Sequence, residues 1–124
     1  MKSITSSSTG WKPTIFIFTF NQGAYKELGC FADKHPARAI PTLEENDKVK
    51  SILTPHYRQR DYAIEKCYGA AKFLKFNAFA VQDGGQCFAS KNAKAEALKY
   101  GKSPDCKDDG KGGPLASAVY EILY

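Results

Sequence analysis

The chain has no long hydrophobic run and no run of basic residues. A membrane-spanning helix needs about 20 consecutive apolar residues, and no stretch approaches that length. The net charge of +5 comes from 18 Lys and Arg against 13 Asp and Glu, and acidic residues are mixed among the lysines. We interpret this charge as a solvated, mildly basic surface, so that a cytosolic nucleic-acid binder is only our third hypothesis. The length of 124 residues fits one domain with a modest core.

Familiar catalytic motifs are also missing. The sequence contains no G-x-S-x-G, no H-E-x-x-H and no phosphate-binding loop. A catalytic thiol needs a lowered pKa and a neighbouring base, and the two histidines, His35 and His56, both lie in loop-like sequence. We therefore predict a protein that is not an enzyme, with no catalytic residues and no cofactor.

A calcium loop is the one metal motif that the sequence partly matches. The segment "DCKDDG" begins like an EF-hand loop, but Lys107 occupies a ligand position and Ala116 stands where the closing Glu belongs. We predict no metal site, with a weak surface calcium site at Asp105, Asp108 and Asp109 as the alternative.

Cysteine is scarce, and its spacing is informative. The four cysteines are Cys30, Cys67, Cys87 and Cys106, and none forms a C-x-x-C pair. Structural zinc sites usually draw ligands from closely spaced pairs, whereas neighbours here are about 20 residues apart or more. An even count in a small chain favours two disulfides over zinc. Disulfides persist in oxidising compartments, so we expect a secreted or extracellular protein.

Residues 1–24 differ from the rest of the chain, and we treat them as an N-terminal extension. Their apolar part, Thr14 to Phe20, is at the short limit for a signal peptide. The alternation in "TIFIFTF" is equally typical of a β-strand. A weak signal segment, an extra strand and a truncated gene start all stay open, and the Ser-rich opening up to Gly10 is predicted to be disordered. The domain itself is predicted to span residues 25–124.

Within that domain, hydrophobic periodicity and turn signals predict alternating strands and helices. The expected order is strand, helix, strand, strand, short helix, strand. The segments are 25–32, 58–76, 78–82, 86–89, 92–101 and 117–124. Antiparallel strands with the main helix across one face give a small α+β domain.

This arrangement suggests how the cysteines pair. Cys67 on the main helix can reach Cys87 in the hairpin, and Cys30 on the first strand can reach Cys106 before the last. We propose these two disulfides, although four cysteines allow three pairings and the sequence alone does not choose among them.

Several segments together resemble a known family. "GCFAD" followed by "RAI", then "AIEKC", then "FAVQDGGQCFAS" and finally "GGPLASAVYEI" are similar to the pattern of the WSC domain. That domain is an extracellular cysteine-rich module in the style of PAN/apple domains. The resemblance covers roughly Tyr25 to Tyr124.

The chain departs from that family mainly in its cysteines. The family usually has eight, and this chain has four. Ala71 in the helix and Ala89 in the hairpin stand where cysteines are expected. Losing both positions together is what removal of one bridge would look like, so the chain resembles a cysteine-poor WSC-like domain.

The resemblance implies a non-enzymatic extracellular module that binds carbohydrate, with protein–protein interaction or a structural role as the alternative. Sugar recognition uses an aromatic face and planar hydrogen-bonding groups. The predicted ligand contacts lie in the hairpin and in the segments that flank it: Arg38, Gln82, Asp83, Gln86, Phe88, Tyr100 and Lys102.

Purely structural roles compete with three of these assignments. Phe88 suits a core position, Tyr100 suits packing on the short helix, and Arg38 suits an ion pair with Asp33. Lys102, by contrast, is predicted to favour acidic sugars.

Overall fold

The structure is a computed structural model that describes residues 24–124. The predictions of a signal segment or an extra strand concern residues outside this range. Within it, four strands, two α-helices and a 3₁₀ turn follow one another along the chain. They are β1 (Tyr25–Ala32), the 3₁₀ turn (Tyr57–Gln59), α1 (Ala63–Phe73), β2 (Ala78–Gln82), β3 (Gln86–Ala89), α2 (Ala93–Glu96) and β4 (Ala116–Ile122).

The strands form one antiparallel sheet in the order β1-β4-β2-β3. This confirms the predicted α+β class, with a four-stranded sheet and one main helix. The main helix is shorter than predicted at both ends. Tyr62 has a left-handed φ of 51° and Lys75 a φ of 63°, so neither residue can continue an α-helix.

The central strand β2 is buried along its whole length, because both faces of the sheet are covered. On one face, Phe79 and Val81 lie in a core cluster with Cys67, Ala70 and Ala71 of α1. The ring of Phe79 stacks on that of Tyr120 at a centroid distance of 5.1 Å. Burial raises the pKa of the Tyr120 phenol, whose hydroxyl donates a hydrogen bond to the carbonyl of Gly110.

The opposite face carries a second core cluster, which the sequence did not indicate. It contains Phe31, Ala80, Phe88 and Val119 of the sheet, covered by Ala93 of α2, by Ala97 at its C-terminal cap and by Ile40 of the loop after β1. The helix predicted over 92–101 is shorter than expected, because α2 ends at Glu96 after one turn.

The segment 33–56 is long and irregular, yet it is firmly attached to the sheet. Leu43, Val49 and Leu53 are buried in the α1-side core. Around Thr42 the segment runs antiparallel to the free edge of β3, and the Leu43 N–H donates to the Cys87 carbonyl at 2.8 Å. This segment therefore extends the sheet edge before it turns back towards α1.

Both proposed disulfides are present. Cys67–Cys87 joins α1 to β3 with a Cα–Cα distance of 5.4 Å, and Cys30–Cys106 joins β1 to the loop before β4 with a distance of 6.0 Å. Each bridge thus ties a different part of the chain to the sheet.

The loop before β4 depends on glycine at one close approach. Gly112 has a φ of 71°, and a Cβ there would collide with the carbonyl oxygens of Val81 and Ala116. Only glycine fits, because it tolerates positive φ and has no side chain.

Among residues 24–124, no helix has the length and hydrophobicity required to cross a bilayer.

Removing the two disulfides separately should destabilise the protein to different extents. The bridges close loops of 76 and 20 residues. Loop-closure entropy then predicts losses of about 4.5 kcal/mol for Cys30→Ser/Cys106→Ser and about 3 kcal/mol for Cys67→Ala/Cys87→Ala. Urea unfolding monitored by circular dichroism measures both. Four thiols reacting in the native, unreduced protein would contradict the pairing outright.

Candidate functional site

Two of the predicted ligand residues belong to a buried polar cluster, which we define as Asp33, Arg38, Gln82 and Ser117. The Gln82 amide nitrogen donates to Asp33 Oδ2 at 2.6 Å and to Ser117 Oγ at 2.8 Å. Arg38 Nη1 donates to Asp33 Oδ2 at 2.9 Å and to Gln82 Oε1 at 3.0 Å. The ion pair of Arg38 with Asp33 is the structural alternative that the sequence had offered.

The Asp33 carboxylate is held by an unusually complete set of donors. Besides the two side chains, the backbone N–H groups of Lys34 and Ala39 donate to its Oδ1 at 2.9 and 2.8 Å. Burial alone would raise the pKa of Asp33, but the hydrogen bonds from Ala39, Gln82, Arg38 and Lys34 outweigh it and lower the pKa below its ordinary value. With Asp33 ionised, the cluster thus fixes the loop after β1 onto the sheet.

Two of the predicted ligand contacts have almost no surface exposed to solvent. Gln82 is 2% exposed and Phe88 is 1% exposed. The Arg38 guanidinium lies 5.2 Å from the centroid of the Phe88 ring. The structure therefore places Phe88 in the core, with no free aromatic face for a sugar, and gives the Gln82 amide a full set of protein partners.

A second buried cation shapes the surface on the other side of the hairpin. The Arg60 side chain is 1% exposed, and all five of its N–H donors are used. Two go to the Glu44 carboxylate, at 2.8 and 2.6 Å. The others go to the backbone carbonyls of Pro55, Gly85 and Leu53. Arg60 thereby joins the irregular segment to the β2–β3 turn.

This junction borders an open cleft of about 340 Å³, a size at the small end for ligand pockets. Polar and aromatic side chains dominate its lining. The residues are Thr42, Glu44, Glu45, Lys50, Leu53, Thr54, Pro55, His56, Tyr57, Arg60 and Gln86.

The aromatic part of the lining is held in a fixed orientation. The His56 and Tyr57 rings stack with centroids 4.6 Å apart. His56 Nδ1 accepts a hydrogen bond from the Arg58 N–H at 3.2 Å, which fixes the imidazole as the cap of the 3₁₀ turn. His56 is exposed and Tyr57 half-buried, so the pair presents an aromatic surface to the cleft.

The turn of the β2–β3 hairpin contributes the two other predicted hairpin contacts. Gln86 lines the cleft, and Asp83 lies 3.8 Å from the guanidinium of Arg58. Arg58 also lies over the Tyr57 ring, 5.1 Å from its centroid. Of the predicted contacts, Gln86 therefore lines the same cleft as the aromatic pair, and Asp83 lies beside Arg58 next to it.

The remaining two predicted contacts lie elsewhere. The Tyr100 hydroxyl donates to the Ala37 carbonyl at 2.6 Å, and Lys102 pairs with Phe31 at the outer edge of β1. The seven predicted residues are thus not brought together. They lie in the buried cluster (Arg38 and Gln82), in the core (Phe88), at the hairpin turn beside the cleft (Asp83 and Gln86) and near the outer edge of β1 (Tyr100 and Lys102).

Sequence reasoning missed the aromatic pair. His56 and Tyr57 belong to no motif, and the sequence indicates only that His56 lies in a loop. One signal was present: irregular segments longer than about 12–15 residues inside compact domains are usually functional or disordered. This one is ordered by Arg60 and Glu44.

The sequence predicted no metal site, with a calcium site at Asp105, Asp108 and Asp109 in the loop before β4 as the alternative. Among the residues that the structure describes, no three His, Cys, Asp or Glu side chains come together in a way that would hold a metal ion.

The Asp33 cluster should make stability depend on acid pH. Because the folded-state pKa of Asp33 is lowered, its contribution is fully present above the unfolded pKa and is lost as the pH falls through the folded pKa. Asp33→Asn should therefore be less stable than the parent protein at about pH 7, with the gap narrowing towards about pH 2. Urea midpoints at both pH values measure it, and a gap independent of pH would refute the role of the ionised carboxylate.

Removing the partner of the buried Arg60 should be costly, whereas removing its neighbour should not. Glu44→Ala leaves a buried guanidinium uncompensated and takes an acceptor from the Cys87 N–H, with an expected loss of about 3–5 kcal/mol. Glu45 is exposed, so Glu45→Ala, the matched control, should change stability by less than about 0.5 kcal/mol. Equal effects in thermal denaturation would show that the Arg60 network does not hold the cleft.

Comparison with known proteins found no family model that matches this chain and no curated protein with significant similarity to it. The function is therefore argued from the chain's own residues.

Proposed function

We propose that this protein is a non-enzymatic extracellular module that binds carbohydrate, and that it is a cysteine-poor relative of the WSC domain. The cleft beside the β2–β3 turn is its binding site. The observation that carries the proposal is the fixed aromatic pair, His56 and Tyr57, on the wall of an open cleft that also carries polar side chains.

The extracellular assignment is supported by the two disulfides. All four cysteines are paired, and such bridges are rare in the reducing cytosol. Small secreted domains commonly use disulfides because their cores are limited.

The carbohydrate assignment is supported by the chemistry of the cleft. A sugar ring has an apolar C–H face that packs on aromatic rings and hydroxyl groups that pair with planar polar side chains. The aromatic pair meets the first requirement. Gln86 lines the same cleft and supplies a planar amide, and Thr42 and Lys50 add a hydroxyl and an ammonium group that can also pair with sugar hydroxyls. The site is small, which suits one or two sugar units.

The non-enzymatic assignment is supported by the hydrogen bonds that Glu44, an acidic residue of the cleft lining, accepts. Glu44 is the carboxylate that Arg60 and the Cys87 N–H hold with three hydrogen bonds between 2.6 and 2.8 Å. A carboxylate occupied in this way is a structural acceptor and not a free general base.

A protein-binding module is the second candidate, and one observation favours it. Phe73 at the end of α1 is 61% exposed, and Tyr124 is 75% exposed while its hydroxyl donates to the Phe76 carbonyl at 2.7 Å. Exposed aromatic side chains are common in protein interfaces.

Truncation of Tyr57 should weaken glycan binding without unfolding the protein. We expect a glycan array to identify neutral sugar ligands, and Tyr57→Ala to weaken binding to them at least about tenfold, the equivalent of about 1.4 kcal/mol. Titration calorimetry with the best array ligand measures the affinity.

The matched control is Tyr62→Ala, because Tyr62 is 72% exposed and lies outside the cleft lining. Its affinity should equal that of the parent protein. If no glycan binds, or if both tyrosine variants lose binding equally, the cleft assignment is wrong. Binding that depends on Phe73 and Tyr124 instead would favour the protein-interaction candidate.

A further inference from the structure

A second surface, away from the cleft, concentrates positive charge around one aromatic ring. Lys34 Nζ lies 4.7 Å from the centroid of the Tyr100 ring, and Lys99 Nζ lies 5.4 Å from the same centroid. The separation of the two ammonium groups cannot exceed the sum of these distances, which is close to the Debye length of about 10 Å at 0.1 M salt. Salt therefore does not fully screen the repulsion between the two ammonium groups. We call Lys34, Lys99, Tyr100 and Lys102 the lysine platform.

The platform rests on rigid parts of the fold. The Tyr100 hydroxyl is anchored to the Ala37 carbonyl, as described above. The residues after Tyr100 are bonded to β1. The Ala32 N–H donates to the Gly101 carbonyl at 2.8 Å, and the Ser103 N–H donates to the Cys30 carbonyl at 3.0 Å. Cys30 is itself cross-linked to Cys106. The Tyr100 ring is thus held against β1 and the loop that follows it.

The charges of the platform are not neutralised by the protein. Neighbouring cations have carboxylate partners: Arg38 pairs with Asp33 at 2.9 Å and Lys94 with Glu121 at 2.8 Å. Within the described part of the chain, Lys34, Lys99 and Lys102 have no carboxylate oxygen within 4 Å. Cations that are fixed close together and lack counter-charges are stabilised by an external anion.

We propose that the lysine platform binds acidic polysaccharide, through the sulfate groups of the chain. This inference rests on the proposed function for its choice of ligand, since the anion of an extracellular glycan binder is most simply an acidic sugar. It deepens that function by adding a second subsite with a different chemistry. The cleft packs on a sugar face, whereas the platform pairs with anionic substituents.

The geometry favours a ligand with anions at fixed intervals. Both ammonium groups are already positioned by the same ring through cation–π contacts, so little side-chain freedom is lost on binding. A stiff acidic polysaccharide makes use of this positioning, whereas a flexible acidic peptide loses its own conformational freedom.

Heparin and its desulfated form are the probes that test the platform. The variant Lys34→Gln/Lys99→Gln should weaken heparin binding at least about tenfold in titration calorimetry at about 0.15 M salt. The control Lys48→Gln/Lys75→Gln removes the same net charge from the α1 side of the molecule and should change binding less than about twofold. Circular dichroism should show unchanged unfolding midpoints for both variants, because all four lysines are exposed.

Three results would overturn the proposal. One is an equal loss in both double variants, which would mean that only net charge matters. Another is equal affinity for heparin and its desulfated form. The third is stronger lysine-dependent binding to poly-glutamate or to phosphatidylserine vesicles, which would assign the platform to an acidic peptide or a membrane.

The same titrations separate this proposal from the cleft assignment. Tyr57→Ala should leave heparin binding intact while weakening the binding of a neutral sugar at least about tenfold. If neutral sugars fail to bind at all but heparin binding still depends on Lys34 and Lys99, the cleft assignment falls and the platform stands.

Discussion

Covalent cross-linking is the constraint on which this fold depends, because its core is rich in alanine. On the α2 side of the sheet, half of the buried cluster is alanine. Burying an alanine removes little apolar surface from water, so each contributes less than a leucine or phenylalanine would. The bridges compensate by restricting the unfolded chain. Cys67–Cys87 holds α1 on β3, and Cys30–Cys106 holds the ends of the domain together.

Within that framework, two arginines turn irregular sequence into ordered surface. Arg60 fixes the segment 33–56 against the β2–β3 turn, and Arg38 fixes the loop after β1 through Asp33 and Gln82. The buried guanidinium of Arg60 is stable only when its donors are satisfied, so it forces several backbone carbonyls into one arrangement. The cleft is a product of this ordering, since most of its lining comes from the irregular segment 33–56.

The two proposed subsites differ in how charge is handled. Around the cleft, Arg58 lies beside Asp83 and Arg60 is bound by Glu44, so both arginines have carboxylate partners. On the lysine platform the charges have no such partners within the described residues. Attraction between exposed charges weakens with salt, whereas packing on an aromatic surface does not. Under the proposed function, one small domain offers two kinds of contact to a glycan chain.

The sequence by itself determined the strands and the order of elements, because alternation, turn residues and one helical stripe are local patterns. It suggested the cysteine pairing without choosing among the three possible ones. It also offered the Arg38–Asp33 pair and a core position for Phe88 as alternatives to ligand contacts. Only the tertiary structure decided between these alternatives, because the loop after β1 covers Phe88. Lys34 lies beside Tyr100, which is distant in sequence, and no local pattern reports such a neighbour.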